Sequence, residues 1–146
     1  MIRAASLVTL LVLPVALGAQ ERRQYVDPRM ASDTTAPPFS GGVLVGNTFY
    51  LAGKIGLTPD RRVPGTPAEE AKLVLDDVKA TLEKVGMTMD DLVSVQVFCS
   101  DVSHYDAFNR VYRTYFKREF PARAFLGSGT LLFGARFEVQ AIAVRR

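Results

Sequence analysis

The run Thr66-Pro67-Ala68-Glu69 restricts this chain more than any other four residues. Thr at an N-cap, Pro at the first helical position and Glu three residues after the cap form a capping box, which satisfies orphan backbone donors and starts a helix at a defined place. Ala71, Leu75, Val78, Leu82 and Val85 then recur at helical spacing up to Gly86, a residue suited to the C′ position. The pattern predicts a helix of about five turns with one apolar stripe. Such a stripe must be covered, and the flanking segments have strand composition, so a sheet is the expected cover.

Val43 to Val45, then Gly46-Asn47, then Thr48 to Ala52 reads as a β-hairpin, here with the less favoured Gly-Asn order at the turn. Leu57 to Gly65, with Pro59-Asp60 and Pro64-Gly65, reads as a loop. Leu92 to Val102 alternates, placing Val93, Val95, Val97 and Cys99 on one drier side. Ser103, followed three residues later by Asp106, is a candidate cap for a second helix whose Phe108, Val111, Tyr112 and Tyr115 share a face. Ala122 to Leu126 and Phe137 to Val144 complete the strands around a glycine-containing connection, 127–134. The order ββαβαββ is an α+β plan: one mixed β-sheet with two helices packed on one face. The domain is expected over residues 39–146, preceded by an extended lead-in over 20–38, with order beginning near Phe39.

A chain of 146 residues holds one such domain and hardly a second. Its first residues differ from the rest. Arg3 is the only charge before Glu21, and Leu7 to Leu17 is apolar except for Thr9. With Pro14 and the small residues around Gly18 and Ala19, this is the pattern of a signal peptide over residues 1–19, cleaved near residues 18–20. Retention as an N-terminal anchor is the alternative, but the apolar run falls short of the roughly 20 residues that span a bilayer. The expectation is an exported protein, periplasmic or extracellular, with no stable membrane insertion once the segment is removed. Removal takes Arg3 with it and lowers the net charge from +3 to about +2. One Cys excludes an internal disulfide, and one His disfavours a His-rich metal site. Cys99 on the drier side of a strand does not readily meet His104 opening the next helix, which disfavours a Cys/His dyad. The basic pairs Arg61-Arg62, Lys117-Arg118 and Arg145-Arg146 are dispersed and lack interleaved aromatics, so a nucleic-acid partner is not expected.

In the last strand, period two separates Phe137, Val139, Ala141 and Ala143 from Glu138, Gln140, Ile142 and Val144. In the strand before it, Arg123 and Phe125 alternate with Ala122 and Ala124. Arg123 is therefore expected on the polar, uncovered side with Phe125, facing the same way as Glu138. A guanidinium grips a carboxylate through two parallel hydrogen bonds, and a nearby Glu can hold or deprotonate a water. The pair suits a small carboxylated electrophile, although from spacing alone a cross-strand ion pair is the commoner arrangement.

Phe120-Pro121-Ala122-Arg123, the ending Phe137-Glu138-Val139-Gln140-Ala141-Ile142-Ala143-Val144, the hairpin from Gly46-Asn47 to Ala52-Gly53, and the helix Tyr105 to Phe116 with Asn109 together resemble the Rid family. That family is also called YjgF or reactive intermediate deaminase. The likeness runs in one order from about Pro38 to the C-terminus, about 109 of 146 residues. It implies the YjgF, chorismate-mutase-like fold, a homotrimer whose sheets form a central barrel, and small-molecule clefts between subunits. It also implies hydrolysis of 2-imino or enamine carboxylates to 2-oxo acids and ammonia without metal or organic cofactor. By the same resemblance Arg123 grips the substrate carboxylate and Glu138 orients the attacking water. Asn109 lies near the cleft, and Gly53 lets backbone amides approach the ligand. Four positions depart from the archetype: Phe39 replaces a Tyr, Ala52-Gly53-Lys54 stands for Ser-Gly-Gln with both flanking residues changed, and Phe125 replaces a Cys. Phe125 adds an apolar wall to the pocket, and Lys54 is either a new cationic contact or an exposed strand-end residue. Loss of those polar groups leaves a second reading open, a trimeric module that binds small carboxylated metabolites without turning them over.

Overall fold

The structure, a computed structural model, describes residues 22–146. The segment read as a signal peptide, 1–19, lies outside the described residues. Six strands form one sheet: β1 (Arg23–Val26), β2 (Gly42–Val45), β3 (Thr48–Ile55), β4 (Leu92–Cys99), β5 (Ala122–Gly127) and β6 (Phe137–Val144), in the order β1-β2-β3-β6-β4-β5. Only β4 and β5 run parallel. Helices α1 (Pro67–Glu83) and α2 (Tyr105–Tyr112) supply the two long connections, as parallel pairing and a strand inserted between two others require. The α+β sheet with two helices is therefore as expected.

The local signals of α1 are all in use. Thr66 Oγ1 accepts from the Glu69 N–H at 3.2 Å, and Glu69 Oε2 accepts from the Thr66 N–H at 3.1 Å. At the other end Gly86 sits at φ +71°, while the Met87 and Gly86 N–H groups donate to the Leu82 and Glu83 carbonyls, a Schellman ending. Between the caps, Ala71, Val74, Leu75, Val78 and Leu82 are buried against Phe49, Leu51, Val95, Val97, Phe137 and Val139 of the sheet.

A buried carboxylate fastens this helix to β6. Glu70 is wholly inaccessible. It accepts from the backbone N–H groups of Arg136 and Phe137 at 2.6 and 3.0 Å and from the Arg136 guanidinium at 2.8 Å. Nothing in its sequence neighbourhood signals this role.

Four local expectations are corrected. Order does not wait for Phe39: β1 pairs with β2 from Arg23↔Val45 to Val26↔Gly42, and Lys84 clamps both carboxylate oxygens of Asp27 just beyond it, at 2.7 and 2.9 Å. Its partners are distant in sequence, so no local pattern marks it. Val93 is 46% exposed rather than on the dry side, because a bulge in β4 between Leu92 and Ser94 shifts the alternation and puts Leu92 in the core. The second helix is led in by Asp101, which accepts from the Ser103 N–H at 2.9 Å, followed by a 3-10 turn over Val102–His104. Finally, Arg123 and Phe125 do share a side, but it is the helix-covered one.

Candidate functional site

The register decides the side. Arg123 stands opposite Val95 on β4, and paired residues point the same way, so its side chain rises into the layer occupied by α2. There one guanidinium N–H donates to Asn109 Oδ1 at 2.7 Å. Four rings surround the charge: Tyr112 at 4.6 Å from guanidinium carbon to ring centroid, and Tyr105, Phe125 and Phe108 at 5.9, 5.9 and 6.0 Å. The rings brace one another, with Tyr105 and Phe108 both edge-on to Phe125 at 5.0 and 5.7 Å. Among the described residues no carboxylate lies within ion-pair distance of Arg123. A half-buried cation with only a neutral amide and π-faces for company has unmet demand for an anion.

Space for one is present. A cavity of about 270 Å³ opens beside Arg123, bounded by Asn109, Tyr105 and Tyr112 of α2 and by Phe120-Pro121 on the approach to β5. Tyr112 is 4% exposed, and its hydroxyl is the one buried side-chain oxygen or nitrogen without a hydrogen-bond partner among the described residues. Burial pushes its phenol up to about 12, against a smaller opposite pull from the Arg123 charge. It therefore stays a neutral donor. Sequence spacing places Tyr112 in a helix face with Phe108 and so reads it as core. That reading is right about burial and blind to the guanidinium lying over the ring.

Glu138 occupies the other face. It alternates with the buried Phe137 and Val139 and pairs with Phe98 and Ile55. A Cβ on Gly53 would collide with Glu138 Oε1, so the absent side chain is what allows the carboxylate to lie across β3. The Phe39 segment runs alongside, because the Ala52 N–H donates to the Gly41 carbonyl at 3.2 Å; Phe39 itself is 58% exposed. The carboxylate of Glu138 has no hydrogen-bond or ion-pair partner among the described residues.

The predicted residues thus fall into two groups on opposite faces. Arg123, Asn109 and Phe125 form one, and Gly53 with Glu138 the other. Within one chain they do not converge: β5 and β6 are separated by β4, about 10 Å apart along the sheet. Lys54 joins neither. A bulge between Leu51 and Lys54 turns it toward α1, where it meets Asp77 at 3.4 Å. Cys99 and His104 form no dyad: the thiol is buried and donates to the Asp101 carbonyl at 3.0 Å, while the imidazole lies edge-on to Phe137 at 6.1 Å.

The family model described as Endoribonuclease L-PSP matches residues 30–145. The chain belongs to the Rid, or YjgF, family. Among its relatives, the 2-iminobutanoate/2-iminopropanoate deaminases of Capra hircus and Homo sapiens are 37% and 36% identical over 123 residues, covering 80% of this chain and 90% of theirs. Among solved structures, the YjgF gene product of E. coli matches with a TM-score of 0.71 at 34% identity, covering 75% of this chain and 89% of that one. An endoribonuclease-like protein of Thermotoga maritima matches with 0.72 at 35%, covering 77% and 90%. In this Rid chain the face opposite the helices carries Tyr50, 51% exposed, with Tyr25, Val43, Ile142 and Ser94 in one row across five strands. Phe125, expected on this uncovered side, packs under α2 instead.

Proposed function

We propose that this Rid protein hydrolyses small 2-imino carboxylates to 2-oxo acids and ammonia, at clefts completed by a second copy of the chain. The observation that carries the reading is the Arg123 guanidinium, held by Asn109 and four rings with no counter-anion among the described residues. A substrate carboxylate meets that demand with two parallel charge-assisted bonds. The family's named relatives act on substrates of this kind.

The second half of the reaction belongs to Glu138. Its carboxylate removes a proton from water as the oxygen adds to C2 of the protonated imine, giving a carbinolamine. The same proton is returned to nitrogen; as the C–N bond breaks and ammonia leaves, the hydroxyl gives its remaining proton to the Glu138 carboxylate, which passes it to the departing ammonia, and the C=O of the 2-oxo acid forms, so that water is the one reagent consumed. A positioned base of this kind contributes on the order of 10²–10⁴-fold. Because Arg123 and Glu138 lie on opposite faces of one sheet, a cleft holding both takes Arg123 from one protomer and Glu138 with Gly53 from its neighbour. The uncovered row from Tyr25 to Ile142 is the surface on which three copies close into a barrel, since an apolar sheet face of that size is costly in water. Export of the mature chain through the segment 1–19 completes the proposal.

A competing reading is capture without turnover. Phe39, Ala52 and Phe125 supply no hydroxyl or thiol where the archetype has Tyr, Ser and Cys, so fewer groups are left to place the imine nitrogen. Freshly generated 2-iminopropanoate separates the two. Ammonia release above the buffer rate, abolished by Arg123→Ala and by Glu138→Gln, supports hydrolysis. A buffer-level rate with saturable binding of 2-oxobutanoate supports capture.

A further inference from the structure

We propose that the cavity beside Arg123 selects substrates bearing a second carboxylate, four- or five-carbon 2-imino dicarboxylates, and that Arg113 is the residue that reads it. This rests on the deaminase reading for the first carboxylate and adds the substrate class.

Arg113 follows α2 directly and lines the same cavity as Arg123. Its guanidinium carbon stands 5.8 Å from the centre of the Phe120 ring, and that ring stacks on Tyr112 at 6.2 Å. The two arginines therefore bracket one aromatic wall. Asn109, which holds Arg123, and Arg113 are four residues apart, so they project from the same side of the helix about 6 Å apart along its axis. A dicarboxylate of four or five carbons has its charged ends separated on this scale.

The charge balance points the same way. Among the described residues no Asp or Glu lines this cavity, and neither arginine has a carboxylate partner. A substrate with one carboxylate compensates Arg123 and leaves Arg113, an exposed cation, paired only with water, whereas a second carboxylate reaches it across the cavity. About 270 Å³ accommodates a five-carbon dianion with room for water. The helix C-terminus also favours a cation at position 113, which accounts for a basic residue there but not for its place on the cavity wall.

Two stable product analogues, 2-oxoglutarate and 2-oxobutanoate, supply the test by calorimetry on the intact protein. The expected result is at least tenfold tighter binding of 2-oxoglutarate. Arg113→Gln brings that ratio toward one, while Arg110→Gln, which removes the same charge from the same helix outside this cavity, keeps it. A wild-type ratio near one, or a ratio that falls equally in both variants, overturns the inference. The deaminase reading fails separately: no ammonia release from 2-iminobutanoate or from 2-iminoglutarate removes it, whatever the binding ratio shows.

Discussion

The Arg123 guanidinium lies over the ring of Tyr112, and the hydroxyl at the far end of that ring has no partner among the described residues. The two facts are connected. A ring pressed between a cation and the aromatic packing of Phe108 and Phe116 is fixed by its face, and its position is set by what Arg123 needs rather than by what its own oxygen needs. Tyr112 is thus a support whose polar tip carries a cost.

That cost is measurable. A buried hydroxyl without a partner loses about 1–3 kcal/mol of solvation, so Tyr112→Phe is expected to raise stability by roughly 1 kcal/mol. The pH dependence has a definite sign. The phenol ionises near 10 in the unfolded chain and only near 12 in the folded one. Its contribution is therefore full below pH 10 and is lost as pH rises from 10 to about 12. Urea unfolding at pH 9 and pH 11 should show a smaller alkaline loss in the variant; equal losses in both proteins would remove the argument. Tyr115, whose phenol is also pushed up by burial and by its bond to Asp76, accounts for part of the loss that remains.

Gly53→Ala tests the other group. The new Cβ would occupy the place of Glu138 Oε1, and Gly53 is not at a positive φ, so the backbone itself tolerates the change. The variant should fold with a melting temperature near wild type while the deaminase rate falls by about 10²-fold, the share of a misplaced base. Wild-type turnover in this variant would mean that the position of Glu138 does not matter to the reaction.

How much of this was legible in the residues depended on how local the cause was. The capping box of α1 and the Gly46-Asn47 hairpin are written in adjacent residues, and both formed as read. The pairing of Arg123 with Phe125 on one side is likewise local, because alternation needs only the strand. Which side it was is not local: period two gives two equivalent faces, and the choice fell to Val95 opposite and α2 above. The bulges at Val93 and before Lys54 inverted the alternation for the same reason, since they depend on β6 as much as on their own strands. The likeness of motifs pointed to Arg123 and Glu138, but neither motif nor spacing carried the fact that they face apart.

Glu70 offers a prediction about stability rather than chemistry. Removing one member of a buried charged network leaves the other uncompensated, here the Arg136 guanidinium and two backbone N–H groups at the start of β6. Glu70→Ala should cost about 3–5 kcal/mol, a loss visible as a large drop in the denaturation midpoint. Glu70→Gln keeps an acceptor for the backbone groups and should cost less. If the alanine variant unfolds within about 1 kcal/mol of wild type, the carboxylate is not what joins α1 to β6.

The opposite facing of Arg123 and Glu138 gives the sharpest test of the shared cleft. Arg123→Ala and Glu138→Gln each remove one half of every site, so each variant alone should be inactive. Suppose instead that the two are unfolded together in equal amounts and refolded. A cleft built from two chains then draws its Arg from one and its Glu from the other, and about a quarter of clefts in randomly mixed trimers receive both intact. Ammonia release should recover to about a quarter of the wild-type rate on that account. Tyr50→Arg, which places a charge in the row proposed to bury between protomers, should abolish the recovery and leave monomers in sedimentation. If both residues served a cleft within one chain, every chain in the mixture would still lack one of them. No recovery at any mixing ratio would then follow, and the composite site would have to be abandoned.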